Sequence, residues 1–164
     1  MTGVADIPTA YTPAGGWTEF PAPVLAGCDD PLVDGAPDLR GVWRTVSVEV
    51  DGVSTTDHPA VGHVQRIEQA GARLVVTGGG VIHDMVCDGT MEGGVHDVAE
   101  FDKTTRIDVV ATFEDGVHVL RPQGMPLEVK RWRDGDAMKW QYVGFVATLA
   151  RLADADVDPA TIDA

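Results

Sequence analysis

Six Asp-Gly or Gly-rich breaks punctuate the stretch from Gly41 to Arg151: Asp51-Gly52, Ala70-Gly71, Gly78-Gly79-Gly80, Asp88-Gly89, Asp115-Gly116 and Asp134-Gly135. Between them run short segments rich in Val, Thr and Ile. Asp-Gly supplies the positive φ that two-residue hairpin turns demand, so the spacing predicts a series of antiparallel hairpins. No stretch of ten or more residues there carries a 3.6-residue apolar period, which argues against crossover helices and a parallel sheet. The expected fold class is all-β, an antiparallel up-and-down barrel of about eight to nine strands.

Each two-residue turn also assigns residues to faces. Centring one on Asp134-Gly135 puts Leu127, Val129, Arg131, Met138, Trp140 and Tyr142 on one side, the apolar and therefore inner one, with Glu128, Lys130, Trp132, Lys139 and Gln141 opposite. Around Ala70-Gly71, His63, Gln65, Ile67, Leu74 and Val76 fall together, while Glu68 pairs with Arg73 outside. Around Asp115-Gly116 the inner set is Val109, Ala111, Phe113, His118 and Leu120. In the hairpin Gly80 to Val98, any even-length turn at Asp88-Gly89 puts His83 and His96 on one face with Met85, Cys87 and Val98, and Asp84 and Asp97 on the other. Unpaired carboxylates cost more to bury than neutral imidazoles, so the histidine face is expected inside, with the two rings within about 8 Å of each other. Val46, Val48 and Val50 alternate away from Trp43 and should form an apolar outer stripe, covered by the N-terminal arm or by the second subunit of a homodimer.

The flanks differ from this core. Residues 1–38 are Pro-rich and acidic, which suits an extended arm, yet Tyr11, Trp17, Phe20, Val24 and Leu25 are too apolar for a solvated tail. The arm should pack on a barrel spanning 39–152, followed by an acidic tail over 153–164. The whole chain has 26 acidic and 12 basic residues, a formal charge of −14, and so lacks the basic face that nucleic-acid binding requires. No apolar run approaches the roughly 20 residues of a spanning helix, and the first residues lack the basic start and apolar stretch of a signal peptide. The expectation is a cytoplasmic chain with no membrane partner. Cys28 and Cys87 imply no disulfide framework.

Leu39-Arg40-Gly41-Val42-Trp43, opening an all-antiparallel run that closes on a strand ending at Arg151, resembles the calycin superfamily of lipocalins and fatty-acid-binding proteins. The resemblance implies a lipocalin-like barrel in which Trp43 of Gly41-x-Trp43 packs across the closed end and Arg151 of the last strand sits against it. Leu127 to Tyr142 is similar to the penultimate hairpin of intracellular lipid-binding proteins. No helix pair follows the first strand, the Arg-x-Tyr carboxylate anchor has no tyrosine, and the lipocalin Thr-Asp-Tyr motif is absent.

A barrel of about eight strands is either filled by side chains or holds one small ligand. Four histidines on expected inner faces, His63, His83, His96 and His118, suggest a polar-lined cavity; His58 falls in a loop before Pro59. The ligand-binding set read from the faces is His63, His83, Met85, His96, Phe113, His118, Arg131, Trp140 and Tyr142, with Arg131 able to hold an anionic group through its planar fork. The partner is then a small apolar or amphipathic molecule. An alternative is a cofactor-free isomerase, cyclase, hydratase or lyase using His83 and His96 as acid and base, since imidazole titrates near neutrality. A further alternative is haem or a metal on a cavity histidine, although no compact ligand motif such as His-Glu-x-x-His is present. Gly78-Gly79-Gly80 lacks the context of a phosphate loop, and Cys87 reads as a buried thiol.

Overall fold

A computed structural model describes residues 3–100 and 102–153, so the expected acidic tail beyond Ala153 lies outside the described residues. Its strands are β1 (Gly41–Val50), β2 (Val53–Thr55), β3 (Val64–Ala70), β4 (Arg73–Gly78), β5 (Val81–Val86), β6 (Val95–Val98), β7 (Arg106–Glu114), β8 (Val117–Pro122), β9 (Val129–Asp134), β10 (Ala137–Tyr142) and β11 (Phe145–Arg151). They form one antiparallel sheet ordered β5-β4-β3-β1-β11-β10-β9-β8-β7-β6, with β2 paired to β1. The sheet curls until β5 approaches β6, giving a nearly closed barrel compatible with a calycin-like fold. Eleven strands exceed the eight to nine expected, because β2 and β6 are only three and four residues long and carry little sequence signal.

The hairpins explain how far face assignment from turns can go. At Asp115-Gly116 both residues take positive φ (51° and 81°), and Glu114 pairs with Val117 as expected. At Ala70-Gly71 and Asp134-Gly135 only the glycine is positive (58° and 59°), and it occupies the first central position of the turn. Pairing therefore moves along by one residue on each strand, to Ala70 with Arg73 and Asp134 with Ala137. A shift of this kind preserves parity, so the inner faces survive although Glu68 now opposes Val75, not Arg73.

On β1 the parity is lost. The strand pairs Thr45 with Leu149 and Ser47 with Thr148 on β11, leaving Val46 as the extra residue of a β-bulge. The bulge inverts the remainder of the strand, so Val48 is buried in the core with Val50 packed beside it, and the expected outer stripe reduces to exposed Val46.

Where β5 meets β6 the ladder fails. Val86 N–H donates to the Gly93 carbonyl (2.6 Å), and the His83 ring reaches Val98 O (2.8 Å), but no regular pairing joins the two strands. The arm bridges this seam. Thr12 Oγ1 bonds both Ile82 N (2.9 Å) and Ile82 O (3.3 Å) on β5, and Thr12 N–H donates to Asp97 on β6 (2.9 Å). Trp17 donates its amide to Gly80 O and its ring N–H to Val81 O, both at 2.9 Å. Below the arm, Arg73 grips Asp84 through two bonds (2.8 and 2.6 Å) and donates to the carbonyls of Val4, Ile7 and Pro8, while Asp84 also accepts the Ala10 N–H. Glu68 accepts the amides of Val24 and Leu25, and Leu25 packs with Ala70, Val75 and Ile82 in a second apolar cluster outside the barrel. Carboxylates on the strands thus accept the N–H groups of a chain that pairs with no strand.

Removing Arg73 strands a buried carboxylate, so Arg73→Met should cost about 3–5 kcal/mol. Equilibrium urea unfolding checks this, and an unchanged midpoint would show that the Arg73 contacts with Asp84 and the arm contribute nothing to stability.

Candidate functional site

The two ends of the barrel differ in chemistry. At one, Trp43 is fully buried, donates its ring N–H to Leu39 O (2.8 Å), and lies under the Arg151 guanidinium, 4.5 Å from its ring centroid. Arg151 also donates to the Arg40 carbonyl. Gly41, at φ 141°, takes a backbone conformation that favours glycine, and the Arg151 guanidinium rests where a side chain would stand. Gln69 completes this plug by accepting the Leu39 amide (2.7 Å) and donating to Pro37 O (2.9 Å).

The other half of the interior is polar where it should be apolar. His118, Arg131 and Trp140 are direct cross-strand neighbours on β8, β9 and β10, all buried and all inward. Arg131 donates from Nε to Gln65 Oε1 on β3 (2.8 Å), and its guanidinium carbon lies 5.5 Å from the Trp140 ring centroid. Among the described residues no carboxylate comes within 4 Å of it. Arg131 Nη1, Gln65 Nε2, Trp140 Nε1 and His118 Nδ1 all lack partners although each is buried. Desolvation brings the Arg131 guanidinium down to about 10. Phe113 and Met85 border His118, at 5.9 Å between rings and 3.4 Å from Nε2 to sulfur.

Above this row lies a cavity of about 90 Å³, bounded by Val95, Ile107, Val109, Leu120, Val129 and Leu127 with Arg131, Trp140, Tyr142, His83 and Glu100 as its polar members. It opens where Met125, in the β8–β9 loop, and Val143, in the β10–β11 turn, stand 41% and 57% exposed. His63 stacks on Trp140 (5.3 Å between rings) with Nε2 3.6 Å from a Glu100 oxygen. A larger groove of about 390 Å³ runs outside between the arm and β5–β6, but its floor is the Arg73–Asp84 pair, already saturated by the arm.

The structure thus groups His63, His83, Met85, Phe113, His118, Arg131, Trp140 and Tyr142 within the barrel. It does not group His96 with them. The β6 strand takes its register from β7, where Val95 faces inward Val109 and His96 faces Asp108. Gly94 passes so close to the Val109 carbonyl that no side chain fits, and the alternation carried over from β5 ends there. His96 therefore points outward, its side chain 36% exposed, bonded to Asp108 (2.6 Å) and to the Met91 carbonyl (2.7 Å). Both partners only accept, which raises its basicity, the Asp108 bond most. Asp97, expected outside with Asp84, follows Val95 in alternation and is buried at the seam under Thr12. His58 packs on Phe145 outside the set (4.9 Å).

Two members escaped the sequence reading. Gln65 fell on the inner face by hairpin parity, so a signal existed; Glu100 sits in the β6–β7 loop, where no periodicity speaks. Cys28 and Cys87 are free, and burial pushes the Cys87 thiol up, away from nucleophilic use. Among the described residues no three His, Cys, Asp or Glu side chains gather as a metal would need, and no helix is long and apolar enough to cross a membrane. The comparisons with known protein families, curated proteins and solved structures find no match for this chain.

Burial pushes His118 well below its ordinary value, and lowers His63 and His83 as well. These rings take up protons more readily unfolded, so stability should fall as pH drops below about 6.5. His96 works in the opposite sense, its contribution present at low pH and lost as pH rises through its raised value. Urea midpoints from pH 7.5 to 5.5 should decline, and His118→Phe should flatten the decline by up to about 1.4 kcal/mol per pH unit. Equal slopes in both proteins would contradict the assignment. Because burial disfavours the Arg131 charge and no carboxylate of the described residues stands within 4 Å of it, Arg131→Met should stabilise the barrel by about 1–4 kcal/mol, read from the same unfolding curves.

Proposed function

We propose that this protein binds one small, mostly apolar molecule inside a lipocalin-like barrel. The carrying observation is the 90 Å³ cavity, walled mainly by Val, Ile and Leu side chains and opening between two loops with exposed apolar tips. Such a site, concave and apolar with a few polar groups to orient the ligand, is how small-molecule pockets are ordinarily built. The contact of Gly41, Trp43 and Arg151 at the far end supports placing the chain among calycin-like barrels. An acid–base enzyme in the same barrel would no longer use a His83–His96 pair, since the two rings lie on opposite sides of the wall. It would rest on His83, whose Nε2 is committed to the Val98 carbonyl, or on His63 beside Glu100.

Native mass spectrometry of freshly purified protein and calorimetric titration with single-ring probes such as benzamide test this reading. Wild type should bind, and the molecule should be recovered unchanged. Val109→Phe, which fills the cavity from its wall, should weaken binding by about tenfold or more while the far-ultraviolet spectrum stays the same. Binding that survives Val109→Phe would place the ligand elsewhere, and a converted ligand would favour the enzyme.

A further inference from the structure

We propose that the ligand is a short organic carboxylate, its head group seated on Arg131 and its body in the apolar cavity above. The inference rests on the ligand-binding reading and adds the chemistry of the ligand. A guanidinium taken out of water costs several kcal/mol unless a charge and hydrogen bonds repay it, and here no carboxylate of the described chain stands within 4 Å. Beyond Gln65 Oε1, which takes the Nε–H, its neighbours do not accept what it offers. Arg131 Nη1, Gln65 Nε2 and Trp140 Nε1 are three buried N–H groups without an acceptor, on three residues in mutual contact or adjacent in the sheet. His118, next to Arg131 on β8, has a further ring nitrogen free.

A site with a surplus of donors around a positive charge that no carboxylate contacts is complementary to a group that is all acceptor and negative. The planar fork of Arg131 suits two oxygens in a plane, as a carboxylate presents them. Glu100, on the wall of the same cavity, attracts Arg131 from a distance but does not fill that role, since it makes no contact with the guanidinium within 4 Å and its nearer oxygen stands 3.6 Å from His63 Nε2. Size restricts the rest of the molecule. The cavity is smaller than the roughly 150 Å³ that encloses benzene, so a branched short chain fits and a single ring fits once Met125, an unbranched and adaptable side chain at the mouth, turns aside. A long acyl chain does not fit. Among the described residues the mouth carries Val143 and Met125 and no basic residue, so charge selection takes place inside the barrel.

The test is calorimetry with isovalerate, hexanoate, benzoate and phenylacetate, each against its neutral amide, with sodium sulfate as an anion that has no apolar body. At least one acid should bind about tenfold or more tightly than its amide, and the gap should close to near unity in Arg131→Met. Gln65→Leu and Arg131→Lys should narrow it partly, a graded check that does not depend on Arg131→Met. Amides that bind as well as acids would overturn the head-group assignment and leave the ligand-binding reading standing. No binding by any acid or amide would overturn both. Sulfate displacing the best acid at equal concentration, or an acid preference unchanged in all three variants, would equally rule out a carboxylate held by Arg131.

Discussion

A sheet that curls on itself has two edges to dispose of, and the shape of this protein depends on how β5 and β6 are kept together. Unpaired strand edges are costly and prone to adding foreign strands. Here the edges share one backbone bond, from Val86 to Gly93, and the Pro-rich arm serves as the missing connection. Because proline offers no amide, the arm could not act as a further strand along its length. It is held mainly by single side chains, Thr12 and Trp17 reaching to β5, and Asp84, Asp97, Glu68 and Arg73 reaching from the strands, with backbone bonds only to the turn glycines Gly71, Gly80 and Gly116. Much of the acidity in this region is thereby structural: it supplies acceptors for amides that have no carbonyl partner.

A barrel closed this way has unequal ends. The Trp43–Arg151 stack and Gln69 seal one, each polar group there being matched, Gln69 by Leu39 and Pro37 and Trp43 by Leu39. Toward the other end the matching stops at Arg131. A protein gains little stability from a buried charge of this kind, and the same row carries the unpaired nitrogens of His118, Gln65 and Trp140. Functional sites commonly sacrifice some stability in this way, and the concentration of unmatched donors beside a cavity distinguishes the row from the rest of the described residues, where Thr45 Oγ1, Thr77 Oγ1 and Arg66 Nε stand unpaired singly.

Most of the inner wall could be read from hairpin parity. His63, Gln65, Arg131, Trp140 and Tyr142 lie inside because a turn that slides by one residue on both strands leaves each side chain on its own face, and Phe113 and His118 because their turn does not slide. Parity fails where the chain adds one residue on one strand only, as at Val46, or where a strand takes its register from a neighbour distant in sequence, as β6 does from β7. Parity misplaces His96 and Val48 for those reasons, and neither a bulge nor a Gly-Gly passage announces its direction.

The sequence by itself determined the antiparallel hairpins, since Asp-Gly turns and alternating Val, Thr and Ile runs are local effects acting within a few residues. It also marked the arm as extended, since proline acts on its own backbone. Only the tertiary structure decided that the arm spans the β5–β6 seam, that His96 faces outward, and that Arg131 lies beside Gln65 with no carboxylate in reach. Those facts depend on contacts between residues up to 85 positions apart, as between Thr12 and Asp97. Burial and pairing at that range follow from how the sheet closes, which no short window of sequence contains.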